Sequence, residues 1–261
     1  MDKGTIVRQY YHSNNLNNGR DIDIYLPPSY NYDLNKRYPV LYMHDGNNLF
    51  YPSLSFGGVA WGVDNAIERL VSEDKIEEVI VVGIHNTYSR SYEYTWTPMT
   101  CECHGTQGGG GEKYARFIVE ELKSFIDNNF RTLSDRDNTA VMGSSMGGLI
   151  SLYLGIHYPD VFSKLGLVST SFWWGMGAPF SDIENISSDL EIWIDMGNNE
   201  GFYKGNNWSL IGARKMREKL LSKGYKEGIN LGYHEDDNGY HNEDSWARRV
   251  HMPLEFHFSK R

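Results

Sequence analysis

The chain has 261 residues and carries 34 Asp and Glu against 25 Lys and Arg, a formal net charge of −9. This length suits one α/β domain over residues 1–261 with a sizeable core, and the acidic balance argues against general affinity for nucleic acid or anionic membrane, which repel it. Met1 to Arg8 lacks a signal-like apolar core and no apolar run reaches membrane-spanning length, so a cytoplasmic chain is expected.

Residues 5–12 and 20–26 read as two strands, the second alternating Ile22, Ile24 and Leu26 before Pro27-Pro28, and together they predict an antiparallel hairpin. Residues 37–44 form a third strand whose continuous apolar run suggests a central parallel position. A helix is expected over 61–72 and a buried strand over 78–84, which sets a βαβ rhythm. Residues 86–111 read as a long irregular segment rich in Tyr, Trp, Thr and Gly, a type of loop more often functional than idle. An amphipathic helix follows over 112–129, with Tyr114, Phe117, Ile118, Leu122, Phe125 and Ile126 on one face. After the strand at 140–143 come a helix over 146–157 stopped by Tyr158-Pro159, buried strands at 164–169 and 190–197, a helix near 210–223, a short strand near 229–234, a loop to His241 and a closing segment from Asn242.

The stretch Gly143-Ser144-Ser145-Met146-Gly147 sits between one of these strands and its helix and matches the G-x-S-x-G nucleophile elbow. Side chains two residues either side of the serine would clash where strand crosses helix, and Gly143 and Gly147 remove them. Ser145 is the candidate nucleophile. A serine hydroxyl is a poor nucleophile at neutral pH, so it needs an imidazole to take its proton and a carboxylate to orient that ring. These partners are expected in the order Ser, acid, His. The strand ending near Gly197 offers Glu200, with Asp195 as the alternative acid. His241, in Asn238-Gly239-Tyr240-His241-Asn242, is favoured over His234, His251 and His257 by its loop position. The backbone N–H of Met146 and one from Gly46 or Asn47, in the loop after the third strand, are expected to form the oxyanion hole.

Residues 41–50 (Leu-Tyr-Met-His-Asp-Gly-Asn-Asn-Leu-Phe), Gly143 to Gly148, Gly197-Asn198-Asn199-Glu200 and Gly239-Tyr240-His241 together resemble the “putative esterase” (esterase D-like) family of α/β hydrolases. That family includes feruloyl and acetyl-xylan esterases, enterochelin esterases, S-formylglutathione hydrolases and the mycolyltransferase antigens. The resemblance spans residues 20 to 250. It implies an α/β-hydrolase fold, with a mostly parallel central sheet, helices on both faces and the antiparallel N-terminal hairpin. It also implies Ser145 as nucleophile, His241 as base, Glu200 as acid and the Asn47 amide in the oxyanion hole.

The expected reaction is hydrolysis of a carboxylic ester through an acyl-enzyme, with no cofactor. A carbohydrate-linked acetyl or aryl (feruloyl-type) ester, small or oligosaccharide, is the expected substrate. A siderophore lactone, or acyl transfer by the same apparatus, is the alternative, and a non-catalytic binding module is a third reading. Candidate substrate contacts are Trp96, Phe172, Trp173, Trp174 and Trp208, whose rings suit sugars or aryl groups. Arg90 either pairs with an anionic substrate or simply meets a surface carboxylate. Cys101 and Cys103, the two cysteines, are poorly placed to bridge each other, and Cys101-x-Cys103-His104 lacks a partner pair for zinc, so no metal is expected. The acidic run Glu235-Asp236-Asp237 lacks calcium-loop spacing and reads as a turn.

Overall fold

The computed structural model describes residues 3–101, 105–203 and 205–260. Eight strands share one sheet: β1 (Thr5–Ser13), β2 (Asn18–Leu26), β3 (Val40–His44), β4 (Ile80–Ile84), β5 (Thr139–Ser144), β6 (Lys164–Val168), β7 (Glu191–Gly197) and β8 (Leu231–Asp236). Their order across the sheet is β1-β2-β4-β3-β5-β6-β7-β8. The β1–β2 hairpin and the β2–β4 pairing are antiparallel, and every pairing from β4 to β8 is parallel. This is the α/β-hydrolase architecture expected from the sequence.

The central strands β3, β4 and β5 are buried at every position because both faces are covered. Alternate side chains enter two cores. Val40, Tyr42, Val82 and Val141 face one core, and Leu41, Met43, Val81 and Met142 face the other. On the first face lie the rod made of Gly111–Arg116, Phe117–Leu122 and Lys123–Asn129, then the helices Met146–His157 and Trp208–Ser222. The second face carries Val63–Ser72, Glu243–Arg249 and His251–Phe258. We label these six elements, in chain order, α1 (Val63–Ser72), α2 (the rod), α3 (Met146–His157), α4 (Trp208–Ser222), α5 (Glu243–Arg249) and α6 (His251–Phe258).

Three sequence expectations shift. The segment 86–111 is less irregular than its composition suggests, holding a helical turn at Arg90–Glu93 and a hairpin of Met99–Cys101 with Gly105–Gln107. The α2 rod changes to π-helical hydrogen bonding over Phe117–Leu122, which the i, i+3, i+4 pattern does not reveal. The acidic run is not simply a turn: Glu235 and Asp236 complete β8 beside Met196 and Gly197, and the turn begins only after them. Cys103 and His104 lie outside the described residues. Among the described residues no group of three His, Cys, Asp or Glu side chains could hold a metal ion, and no helix is long and apolar enough to cross a membrane.

Candidate active site

The parallel strands all end at one edge of the sheet, so the loops after β3, β5, β6, β7 and β8 converge there. The chain leaves β5, turns at Ser145 and enters α3. Ser145 holds φ 58° and ψ −119°, a conformation costly for a side-chain-bearing residue. Three backbone hydrogen bonds hold the turn: Ser145 N–H donates to Val168 O (3.0 Å), while Ser171 N–H (3.2 Å) and Leu149 N–H (3.4 Å) donate to Ser145 O. A Cβ on Gly143 would stand 2.7 Å from Gly147 C, and one on Gly148 2.0 Å from Thr170 Oγ1. Gly143 is therefore a steric requirement of the crossing and Gly148 of the packing on Thr170, whereas a Cβ on Gly147 would come closest to His44 Cβ, at 3.3 Å, a looser fit than the sequence suggests. Ser145 Oγ pairs with Ser171 Oγ at 3.1 Å.

His241, from the loop after β8, shares a cavity of about 530 Å³ with Ser145. Its Nδ1 is hydrogen-bonded to Glu200 Oε2. Because a carboxylate only accepts, Nδ1 carries the proton, and in the neutral ring Nε2 is the acceptor nitrogen. The imidazole meets the Trp246 ring edge-to-face, with centroids 5.1 Å apart at 84°. Glu200 is 2 % exposed, and its Oε1 accepts from Ser169 Oγ (2.8 Å) and Gly197 N–H. Asp195, the alternative acid, is fully buried but engages Arg249 Nε (2.9 Å) and Trp193 Nε1 (2.8 Å). Of the two acids, Glu200 is the one on the imidazole.

The turn after β3 forms the opposite wall. Asp45 starts it in the left-handed region, φ 55° and ψ 45°. Gly46 packs so tightly that a Cβ would stand 2.4 Å from Gly83 C. Asn47 lines the cavity, and Asn48 N–H is engaged by Asp45 O at 2.8 Å. Arg90 meets a buried carboxylate rather than a surface one. Its Nε and Nη2 grip Asp45 at 2.7 and 2.8 Å, and Asn86 Nδ2 adds a third bond at 2.6 Å. Burial pushes the Asp45 carboxyl upward, but the Arg90 guanidinium and the Asn86 amide outweigh it and hold Asp45 below the usual carboxylate range. Arg90 is raised in turn: burial opposes its charge, and Asp45 more than compensates.

The aromatic contacts expected from the sequence are corrected in part. Phe172 (1 % exposed) and Trp174 (3 %) belong to the interior, and Trp174 Nε1 donates to Thr97 O at 2.8 Å. Trp96 donates to Asp182 Oδ2 at 2.6 Å and packs on Tyr153. Trp173 and Trp208 are half exposed, and none of the five lines the cavity. Its aromatic walls are Phe56 and Trp246, with Leu54 beside Phe56. These rings sit where the loop after β3 and the start of α5 close over the site, a closeness that depends on tertiary contacts. Sequence reading also passed over Glu243, which lines the cavity and accepts from Asn48 Nδ2 at 3.2 Å. Burial, reinforced by Asp45, raises its carboxyl above the usual range.

Comparison with known proteins agrees with this architecture. The family model described as “Putative esterase” matches residues 13–253. The Bacillus subtilis (strain 168) protein YbbA is 27% identical over 213 residues, covering 80% of each chain. An endo-1,4-beta-xylanase/feruloyl esterase of Xylanibacter ruminicola is 26% identical over 239 residues, 88% of this chain but only 28% of that protein. Among solved structures, the BES protein from Bacillus cereus superposes with TM-score 0.78 at 20% identity, covering 97% of this chain and 94% of that one. The enterobactin esterase FES from Shigella flexneri superposes with TM-score 0.76 at 18% identity, covering 98% of this chain and 59% of that one.

Proposed function

This chain belongs to the “putative esterase” family of carboxylic-ester hydrolases, and we propose that its reaction runs through Ser145, His241 and Glu200 on a neutral ester. The observation that carries the reading is that His241, held by the buried Glu200, lines the same cavity as a serine at φ 58°. In this reading Ser145 Oγ attacks the ester carbonyl carbon while His241 Nε2 takes the hydroxyl proton. The backbone N–H groups of Asn47 and Met146 receive the negative charge on the carbonyl oxygen, and the start of α3 adds its positive end. Collapse of the intermediate breaks the bond to the alcohol oxygen, which collects the proton from His241. Water, deprotonated by the same ring, then hydrolyses the acyl-enzyme and frees Ser145.

Two features of the cavity support a substrate with an apolar acyl group on a hydroxyl-rich, carbohydrate-like alcohol. Leu54 and Phe56 offer an apolar wall for an acetyl or aryl group. The same cavity is lined by Asn47, Asn48, Asn86 and Glu243, whose amides and carboxyl suit hydroxyls, Asn48 lying directly beside Phe56. The cavity's charges are Asp45, Glu243 and an Arg90 already bound to Asp45, a balance that disfavours an anionic ester. Hydrolysis of p-nitrophenyl acetate by the wild type and by Ser145→Ala, His241→Ala and Glu200→Ala, each checked for folding, tests the mechanism. All three variants are expected to lose activity, and a folded Ser145→Ala protein with full activity refutes it. Feruloylated or acetylated sugars, compared with an anionic ester and with added acceptor alcohols, test the substrate and separate hydrolysis from acyl transfer.

A further inference from the structure

We propose that Arg249 is a positioning residue which, through Ser169, sets the orientation and charge of the Glu200 carboxylate. The inference rests on the reading of Ser145, His241 and Glu200 given above. Arg249 is 3 % exposed and ends α5, one turn beyond the Trp246 that packs on His241. Its Nε donates to Asp195 Oδ1 (2.9 Å), its Nη1 to Asp236 Oδ2 (3.3 Å) and its Nη2 to Ser169 Oγ, while Nη2 stands 3.7 Å from Glu200 Oε1. Trp246 Nε1 donates to the same Ser169 Oγ at 2.9 Å.

The direction of the next hydrogen bond follows from valence. Neither an indole N–H nor a guanidinium can accept, so the two donors occupy the lone pairs of Ser169 Oγ. Its single proton therefore goes to Glu200 Oε1, 2.8 Å away. Gly197 N–H donates to that oxygen too. With Oε1 filled, Oε2 is the atom left to receive His241 Nδ1, and the carboxylate cannot rotate without stranding a buried donor. Ser169 sustains this position at φ 42°, a conformation uncommon for serine. Asp195 thereby acquires a role: with Asp236 it anchors the guanidinium that steadies the acid.

The charged groups around the His241–Glu200 pair are Arg249 and Glu243 of α5, Asp195 of β7, Asp236 of β8, and the Asp45–Arg90 pair across the cavity. Taking the positive charge from Arg249 enlarges the existing excess of carboxylates and favours proton uptake by the pair. The test is the pH profile of kcat/KM, with kcat and KM separately, for p-nitrophenyl acetate hydrolysis by the wild type, Arg249→Gln, Arg249→Lys, Ser169→Gly and Ser145→Ala. In Arg249→Gln the acid limb is expected to rise by about one pH unit or more. Its kcat is expected to fall about 10- to 100-fold with KM little changed, as for a misplaced catalytic group. Arg249→Lys returns the charge and the limb but not full kcat, since an ammonium cannot span three oxygens as the fork does. Ser169→Gly, which accepts φ 42° without strain, loses kcat while keeping the limb close to that of the wild type. If Arg249→Gln does not fold, Ser169→Gly decides.

A wild-type limb and kcat in folded Arg249→Gln, or a wild-type kcat in Ser169→Gly, overturns the inference. When Ser145→Ala is inactive, that failure belongs to Arg249 alone. If Ser145→Ala stays active, the reading of the site fails and takes the inference with it.

Discussion

Replacing Gly143 by alanine tests whether the turn at Ser145 is held by steric necessity. Gly143 has no positive φ, so an added methyl meets no backbone penalty of its own. It would instead stand 2.7 Å from Gly147 C and 2.9 Å from Gly147 Cα and O, backbone atoms of the first turn of α3 that cannot rotate away. Relief requires the helix to move, and Ser145 moves with it. Overpacking of this kind costs about 1–3 kcal/mol, which in a chain of this size lowers Tm by about 2–12 °C. A displacement of order 1 Å at Ser145 cuts the rate by about 100-fold. Gly212 supplies the control, because its Cβ would meet only Phe172 Cβ, at 3.4 Å, inside α4. Gly212→Ala is expected to stabilise by about 0.5–1 kcal/mol, a rise of about 1–4 °C, with unchanged hydrolysis. Thermal unfolding followed by circular dichroism, with p-nitrophenyl acetate turnover on the same samples, measures both. A Gly143→Ala protein that melts and turns over like the wild type refutes the steric account.

Glu200→Gln should lower kcat by about 10²- to 10⁴-fold with little change in Tm, whereas Asp195→Asn, which removes the charge of the carboxylate nearest to Arg249, should destabilise by about 3–5 kcal/mol; equal effects on both measurements would dissolve the distinction between the two acids. Phe56→Ala should raise KM for an ester with an aryl acyl group while leaving hydrolysis of an acetyl ester nearly unchanged, a comparison made with methyl ferulate and p-nitrophenyl acetate. Glu243→Gln keeps an oxygen for Asn48 and removes a carboxyl that burial raises above its unfolded value near 4.3. Such a group holds its proton more tightly when folded, so wild-type stability declines as pH climbs from about 4 through the raised value, and the variant lacks that decline. Urea unfolding at pH 4 and pH 8 should therefore show the variant gaining on the wild type at pH 8, and a gain at pH 4 instead contradicts the assigned shift.

Local physics was enough to read much of this chain from its residues. Apolar runs within Val40–His44, Ile80–Ile84 and Thr139–Ser144 called for strands covered on both faces, and the glycines around Ser145 called for a strand crossing a helix at close range. Those features depend on steric fit and side-chain period within a few residues, which sequence order preserves. What the chain assembles from distant segments was decided only in three dimensions. Asp195 and Glu200 are both buried acids at the end of one strand, and what separates them is an imidazole 41 residues further along and a guanidinium from α5. Phe172 and Trp174 look like substrate platforms in sequence yet fill the interior, while Phe56 and Trp246, unremarked there, wall the cavity. Burial and partner choice are properties of the packed whole, since an aromatic ring or a carboxylate carries no local mark of which element will close over it.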